Sequence, residues 1–308
     1  MHRMCLARLA FLVPIALAGC RKEPAAPAAS AVEPIAPAAP PDLLARGRYV
    51  ATISGCVICH TPMVAGRPDR DRLFAGGLEE RLNGGVWRSP NITPDRETGI
   101  GAWTDAEIIT ALRRGIRRDG QKLLPIMPYP YYHRMTDDDA RAVVAFLRAQ
   151  KPIANRVERS TNLALQPIDL PEPIGNVDRV DDPKAHGSYL ASLMHCEACH
   201  TPRSGPRANV AFAGGVPFSL PGGRTIMSAN ITSDLSTGIG RWTEDQIIAT
   251  LRTMKKPDGT PIEGPMAMYA DAWSKLEPRD ARALAAFIHS IPPVPNEIPA
   301  QQTLSSKP

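Results

Sequence analysis

The sequence predicts an all-α protein built from two tandem helical units. Three observations predict it. A long segment recurs about 140 residues further along the 308-residue chain. Each copy carries apolar residues at helical spacing, opened by capping residues and stopped by proline. No stretch alternates apolar and polar residues over several strands.

The duplication sets the boundaries. Ser89-Pro-Asn-Ile-Thr-Pro-Asp recurs as Ser228-Ala-Asn-Ile-Thr-Ser-Asp, and Thr98-Gly-Ile-Gly-Ala-Trp103-Thr recurs as Thr237-Gly-Ile-Gly-Arg-Trp242-Thr. Phe74-Ala-Gly-Gly matches Phe212-Ala-Gly-Gly, and Gly47-Arg-Tyr49 matches Gly187-Ser-Tyr189. Asp139-Ala-Arg-Ala returns as Asp280-Ala-Arg-Ala. The copies are assigned to residues 42–152 and 182–293. Residues 153–181, rich in proline, read as a linker lying over one domain or the interface, and 294–308 as a tail.

Each copy is expected to hold three main helices. The first covers about Asp42 to Ser54, and its counterpart ends just before Cys196. The second starts at the capping box Thr104-Asp-Ala-Glu107, in which hydroxyl and carboxylate satisfy free backbone donors, and Thr243-Glu-Asp-Gln246 repeats it. Ile108, Ile109, Leu112 and Ile116 then share one apolar face, as do Ile247, Ile248 and Leu251. The third begins near Thr136 and carries Val143, Val144, Phe146 and Leu147; its twin carries Leu284, Phe287 and Ile288. Lys151-Pro152 and Ile291-Pro292-Pro293 stop these helices.

Residues 1–20 have the plan of a secretory signal: Arg3 and Arg8, an apolar run from Leu9 to Leu17, then Ala18-Gly19-Cys20. The run is shorter than the roughly twenty residues of a membrane-spanning helix. Its Leu-Ala-Gly-Cys ending resembles a bacterial lipoprotein signal, which implies lipidation of Cys20 and anchoring on the periplasmic face of a membrane. Residues 21–41, rich in proline and alanine, read as a semi-rigid tether.

Chemistry is concentrated in Cys56-Val57-Ile58-Cys59-His60 and Cys196-Glu197-Ala198-Cys199-His200. Two thiols three positions apart can reach the two vinyl groups of one haem as thioethers, and the next histidine meets the iron from the same side. A zinc site would need further Cys or His ligands at matching spacing. A thioredoxin-like pair expects surrounding strands and needs no histidine there. A disulfide within each pair would leave both histidines unexplained. Cys5 and Cys20 lie in the leader, so none of the six cysteines remains for a disulfide framework. Aromatic residues are only 5% of the chain, so a macrocycle in each unit would also supply bulk that the cores lack.

Each half resembles a class I cytochrome c domain, and the whole resembles the two-haem cytochrome c subunits of bacterial periplasmic dehydrogenases. The resemblance covers nearly everything after the tether. It rests on Cys-x-x-Cys-His-Thr-Pro, on Asn-Ile-Thr followed by Thr-Gly-Ile-Gly-x-Trp-Thr, and on Met127-Pro-Tyr before the last helix. It implies that the first and last helices cross, Gly47 and Tyr49 meeting Phe146, and Gly187 and Tyr189 meeting Phe287. It also implies two covalent c-type haems, with His60 and His200 on the irons and a thioether opposite each from the loop before the last helix.

In the first loop Met127 and Met135 compete, with His133 between them. Alignment at Asp-Ala-Arg-Ala puts Leu276 opposite Met135, which favours Met127. The second loop offers Met268, aligned with Met127 without gaps, and Met266, which follows Gly-Pro; Met266 is preferred and Met268 stays open. Asn91, Trp103, Asn230 and Trp242 are candidate haem contacts through amide or indole N–H groups, or else simply shape the turn into the capped helix. His133 and His195 read as surface groups or propionate contacts, and His186 and His289 as helix-face residues.

Two six-coordinate irons leave no open position for substrate, so the reading is an electron carrier between a dehydrogenase donor and a terminal oxidase or another cytochrome. A two-haem peroxidase needs one iron able to open and acid/base groups above it. A thiosulfate-oxidising cytochrome would use an axial cysteine, and every cysteine is already assigned. A gas-binding sensor would need a five-coordinate haem. The formal charge of +5 falls to roughly −1 once Arg3 and Arg8 leave with the signal and four propionates are added, which argues against a nucleic-acid partner.

Overall fold

Residues 41–65, 67–82, 84–173, 182–298 and 302–303 are described by a computed structural model. The signal, Cys20 and the tether up to residue 40 lie outside them, as do 174–181 of the linker and most of the tail after 298.

The first half runs α1 (Pro41–Ile53), α2 (Cys56–His60), α3 (Asp105–Arg114), α4 (Tyr129–Tyr132) and α5 (Asp137–Arg148). The second repeats the order as α6 (Pro183–Leu193), α7 (Cys196–His200), α8 (Glu244–Thr253), α9 (Ala270–Trp273) and α10 (Pro278–His289). Both capping boxes form: Thr104 accepts from the Glu107 N–H while Glu107 accepts from the Thr104 N–H, and Thr243 and Gln246 do the same. Thr136 caps α5 by accepting from the Asp139 N–H.

The first and last helices of each half cross at a glycine. A Cβ on Gly47 would lie 1.9 Å from the Ala142 carbonyl oxygen and 2.8 Å from Phe146 Cβ, so only glycine allows the approach. On Gly187 it would lie 2.0 Å from the Ala283 carbonyl oxygen and 2.6 Å from Phe287 Cβ. Alanines 140, 281 and 285, together with Val143, Val144, Leu147, Leu284 and Ile288, fill these crossings and are buried.

The tyrosines of the same segments do something else. Tyr49 and Tyr189 do not serve the crossing with Phe146 and Phe287; each reaches the opposite half. Tyr49 donates to Asp280 Oδ2 at 2.7 Å, and Tyr189 donates to Asp139 Oδ2. Arg46 and His186 complete the two carboxylates from their own halves. One continuous apolar core runs through both halves.

The main elements are helical as expected, and short antiparallel ribbons that the all-α reading did not include lie between them. β1 (Met63–Val64) pairs with β2 (Arg67–Pro68), and β3 (Glu79–Leu82) with β4 (Gly85–Arg88). β5 (Pro217–Ser219) pairs with β6 (Arg224–Met227), which also pairs with β7 (Gln302–Thr303). They are two to four residues long, too short to show an alternating pattern.

These ribbons also shift the edges of the repeat. Thr161 bridges Val86 on β4, and Gln302 pairs with Thr225 on β6 in the equivalent place. Asn155 Nδ2 donates to the Ala75 carbonyl and Asn296 Nδ2 to the Ala213 carbonyl, both at 2.8 Å. The repeated unit therefore runs past residues 152 and 293. The described part of the linker lies along the first half, where Tyr129 exchanges two hydrogen bonds with the backbone of Ile168.

Candidate functional site

Each Cys-x-x-Cys-His segment folds as a single helical turn, α2 or α7, entered through a left-handed residue: Gly55 with φ 71° or His195 with φ 42°. All four thiols are free. Burial pushes Cys56 and Cys196 up to about 12 and Cys59 to about 11, so these are neutral thiols, opposite to the acidic thiol of a redox-active pair. Among the described residues no three His, Cys, Asp or Glu side chains converge as an ion site requires.

Each motif histidine is held by a backbone carbonyl. His60 Nδ1 lies 2.9 Å from the Pro90 oxygen and His200 Nδ1 lies 2.7 Å from the Ala229 oxygen. A carbonyl only accepts, so Nδ1 carries the hydrogen and Nε2 presents its lone pair. Burial lowers both imidazole pKa values, which keeps the rings neutral and able to ligate. The loops supplying those carbonyls are tied down in turn. Asn91 and Asn230, each next in sequence, spend both amide hydrogens and the amide oxygen on their own loops and on the segments after α5 and α10.

In the second half a cavity of about 980 Å³ opens beside the motif, with Cys196, Cys199, His200, Trp242, Met266 and Tyr269 among its walls. It is at the large end of the range for cofactor sites, and its remaining wall mixes aliphatic side chains such as Ile239, Leu251 and Ile288 with polar ones such as Ser228, Thr237 and Thr260.

The comparisons with known proteins agree with this chemistry. The profile of the cytochrome c family matches residues 44–151. The cytochrome c subunit of a quinone-dependent alcohol dehydrogenase from Gluconobacter oxydans is 36% identical over 274 residues, which are 82% of this chain and 55% of that protein. A gluconate 2-dehydrogenase cytochrome c subunit from Pantoea cypripedii is 31% identical over 270 residues, 81% of this chain and 59% of that protein. A diheme cytochrome c-type protein of Cereibacter sphaeroides is 30% identical over 264 residues, 81% of this chain and 86% of that protein. The chain belongs to the cytochrome c family. It spans little more than half the length of the two dehydrogenase subunits.

Family membership implies a covalent c-type haem with its iron. The residues fit such a group. In the second cavity two neutral thiols and a fixed imidazole share one side, and Met266 also contributes to the wall. Thr250 Oγ1 is buried in that wall with no hydrogen-bond partner, a donor left for whatever fills the space.

The structure sorts the other candidates of this cytochrome. Met268 is 52% exposed and lies outside the cavity, whereas Met266 lines it. Met127 is partly buried against the first core and Met135 is fully inside it. Asn91 and Asn230 cannot hold a propionate through their amides, because every amide hydrogen is already used; they position the carbonyls of Pro90 and Ala229 instead. Trp242 lines the second cavity, while Trp103 packs against the core of the first half. His186 is not a bare helix-face residue but the partner of Asp280 at 2.7 Å. His195 is not a bare surface group: it sits between the rings of Tyr132 and Tyr269 and also contributes to the wall of the second cavity. The inter-half carboxylates and this aromatic group were missed, although both carboxylates lie in the duplicated Asp-Ala-Arg-Ala.

Proposed function

We propose that the chain is a two-haem electron carrier made of two tandem class I cytochrome c domains. It is held at the periplasmic face of a membrane by a lipid on Cys20. One observation carries the two-haem reading: both Cys-x-x-Cys-His turns stand in the same setting, each with its histidine tautomer fixed by the carbonyl before the Asn-Ile-Thr segment. Cys56 and Cys59 attach the first haem with His60 and Met127 on its iron. Cys196 and Cys199 attach the second with His200 and Met266.

The covalently held iron supplies a one-electron ferric/ferrous couple. The protein sets how readily it is used. With imidazole and thioether as its donors the iron would favour the ferrous state and a raised potential, and the apolar part of the second cavity's wall would act in the same direction. Thr250 has alanine, Ala111, at the matching position of the first half, so this buried hydroxyl has no counterpart there. Electrons enter from a dehydrogenase, as the names of several relatives support, and leave to a terminal oxidase or another cytochrome. Those names argue against the peroxidase reading.

The test is the mass of the mature holoprotein with its haem count. Two haems, reduced to one by Cys56→Ser/Cys59→Ser and to the other one by Cys196→Ser/Cys199→Ser, are expected. A single haem in the unaltered protein overturns the reading. Retention of Cys20→Ser in membranes overturns the anchor alone.

A further inference from the structure

The ends of the two motif turns approach each other across one aromatic side chain. Tyr269 leaves a 3₁₀ turn (Pro265–Tyr269) of the second half and rests against Gly55, the residue before Cys56. A Cβ on Gly55 would lie 2.4 Å from Tyr269 Cε1. On its other side Tyr269 meets His195, the residue before Cys196, with ring centroids 5.5 Å apart and the hydroxyl 3.4 Å from Nε2. Tyr269 stacks on Trp273 at 4.8 Å, and His195 meets Tyr132 of the first half at 6.3 Å.

This cluster also closes the end of α1. The last carbonyls of a helix lack partners within it. Here Trp273 Nε1 donates to the Ile53 carbonyl at 3.1 Å and Tyr132 Oη to the Ser54 carbonyl at 2.9 Å. One of those donors comes from each half, so the junction fixes the start of α2 relative to α7. Burial holds the Tyr269 hydroxyl well above its ordinary pKa, and all four motif thiols are near enough to add to that.

We propose that Tyr269 is a positioning residue for electron exchange between the two haems, holding the starts of the two Cys-x-x-Cys-His turns in a fixed relation through Gly55 and His195. The proposal rests on the two-haem reading above. With both groups bound, the step it serves would be a one-electron exchange, one iron going from ferrous to ferric as the other goes from ferric to ferrous, with no bond made or broken and no proton moved. Coupling between two redox centres falls steeply with the gap between them and with voids in that gap. A closely packed ring is therefore better than the cavity its removal would leave. The second half supplies this ring alone, since the matching position of the first half is Pro128.

Pulse radiolysis of the full-length holoprotein tests it, read as the concentration-independent phase in which the haems equilibrate. Haem count and both midpoint potentials are measured on the same samples. Tyr269→Leu is expected to slow that phase about tenfold by removing the ring that fills the space between Gly55 and His195. Gly55→Ala should slow it from the opposite side, by displacing the ring, while Tyr269→Phe should restore it to within about twofold of the original rate. If Tyr269→Leu does not assemble, Gly55→Ala against Tyr269→Phe still decides. Unchanged rates in Tyr269→Leu and Gly55→Ala, with two haems present, overturn the positioning role and leave the two-haem reading intact. Loss of rate in Tyr269→Phe equal to that in Tyr269→Leu overturns it too, because the hydroxyl would then be the agent. One haem in the unaltered protein overturns the underlying reading instead.

Discussion

Tyr49 and Asp280 are hydrogen-bonded at 2.7 Å although 231 positions separate them in the chain. Tyr189 returns the same bond to Asp139, so the halves exchange identical contacts across a local twofold. Each carboxylate is completed from its own half, Asp139 by Arg46 and Asp280 by His186. The four side chains of the exchange all come from segments that the duplication repeats.

Removing one of these hydroxyls should loosen both halves together. Tyr49→Phe is expected to cost about 1.5–3 kcal/mol, the range for a hydrogen bond to a charged partner. Tyr189→Phe should cost a similar amount. The double variant should show coupling if the two contacts close one interface, as chemical denaturation of the holoproteins would reveal.

The helix crossings should be far less tolerant than glycines elsewhere. Gly47→Ala and Gly187→Ala drive a methyl into a backbone carbonyl, and should cost about 3 kcal/mol or prevent assembly. Gly120→Ala meets nothing within 4 Å and carries only the left-handed backbone penalty at φ 78°, about 1 kcal/mol. Thermal unfolding of the three variants makes the comparison.

The two thioethers of the second loop should separate cleanly by spectroscopy. Met266→Ala should abolish the methionine–iron charge-transfer band of one haem, and Met127→Ala that of the other. Met268→Ala should leave both bands, because its side chain is outside the cavity. Loss of a band in Met268→Ala alone would reverse the assignment.

Acid should weaken the junction through His195. Burial between the two halves lowers its pKa to about 4, against the pull of the Ser54 backbone in the other direction. The folded state thus keeps the ring neutral over a range in which the unfolded chain, with a pKa of about 6.5, takes up a proton. The contribution is intact above about pH 6.5 and is lost as the pH falls towards 4, by at most about 3 kcal/mol. His195→Asn, which tolerates the left-handed backbone, should flatten the stability profile in that window.

Much of this cytochrome is legible in its residues taken in order. The motif cysteines and histidines, the capping boxes, the proline stops and the crossing glycines are local devices. Each needs only its neighbours or its matching copy to be recognised, and α3, α5 and α8 begin one residue after the capping residues Thr104, Thr136 and Thr243. The ribbons were hidden because two to four residues carry no period. The extent of the repeat was hidden because Asn155 and Asn296 are matched by what they bind and not by the residues around them.

By itself the sequence determined the duplicated segments, the two Cys-x-x-Cys-His motifs and the family resemblance, since these depend on spacing along one chain. Only the tertiary structure decided how the copies share a surface. Whether Tyr49 packs on Phe146 or crosses to Asp280, whether Met266 or Met268 faces the cavity, and where His195 points all depend on rotamers and on approach between distant segments. Local spacing leaves those free; burial and hydrogen-bond satisfaction across the two halves fix them.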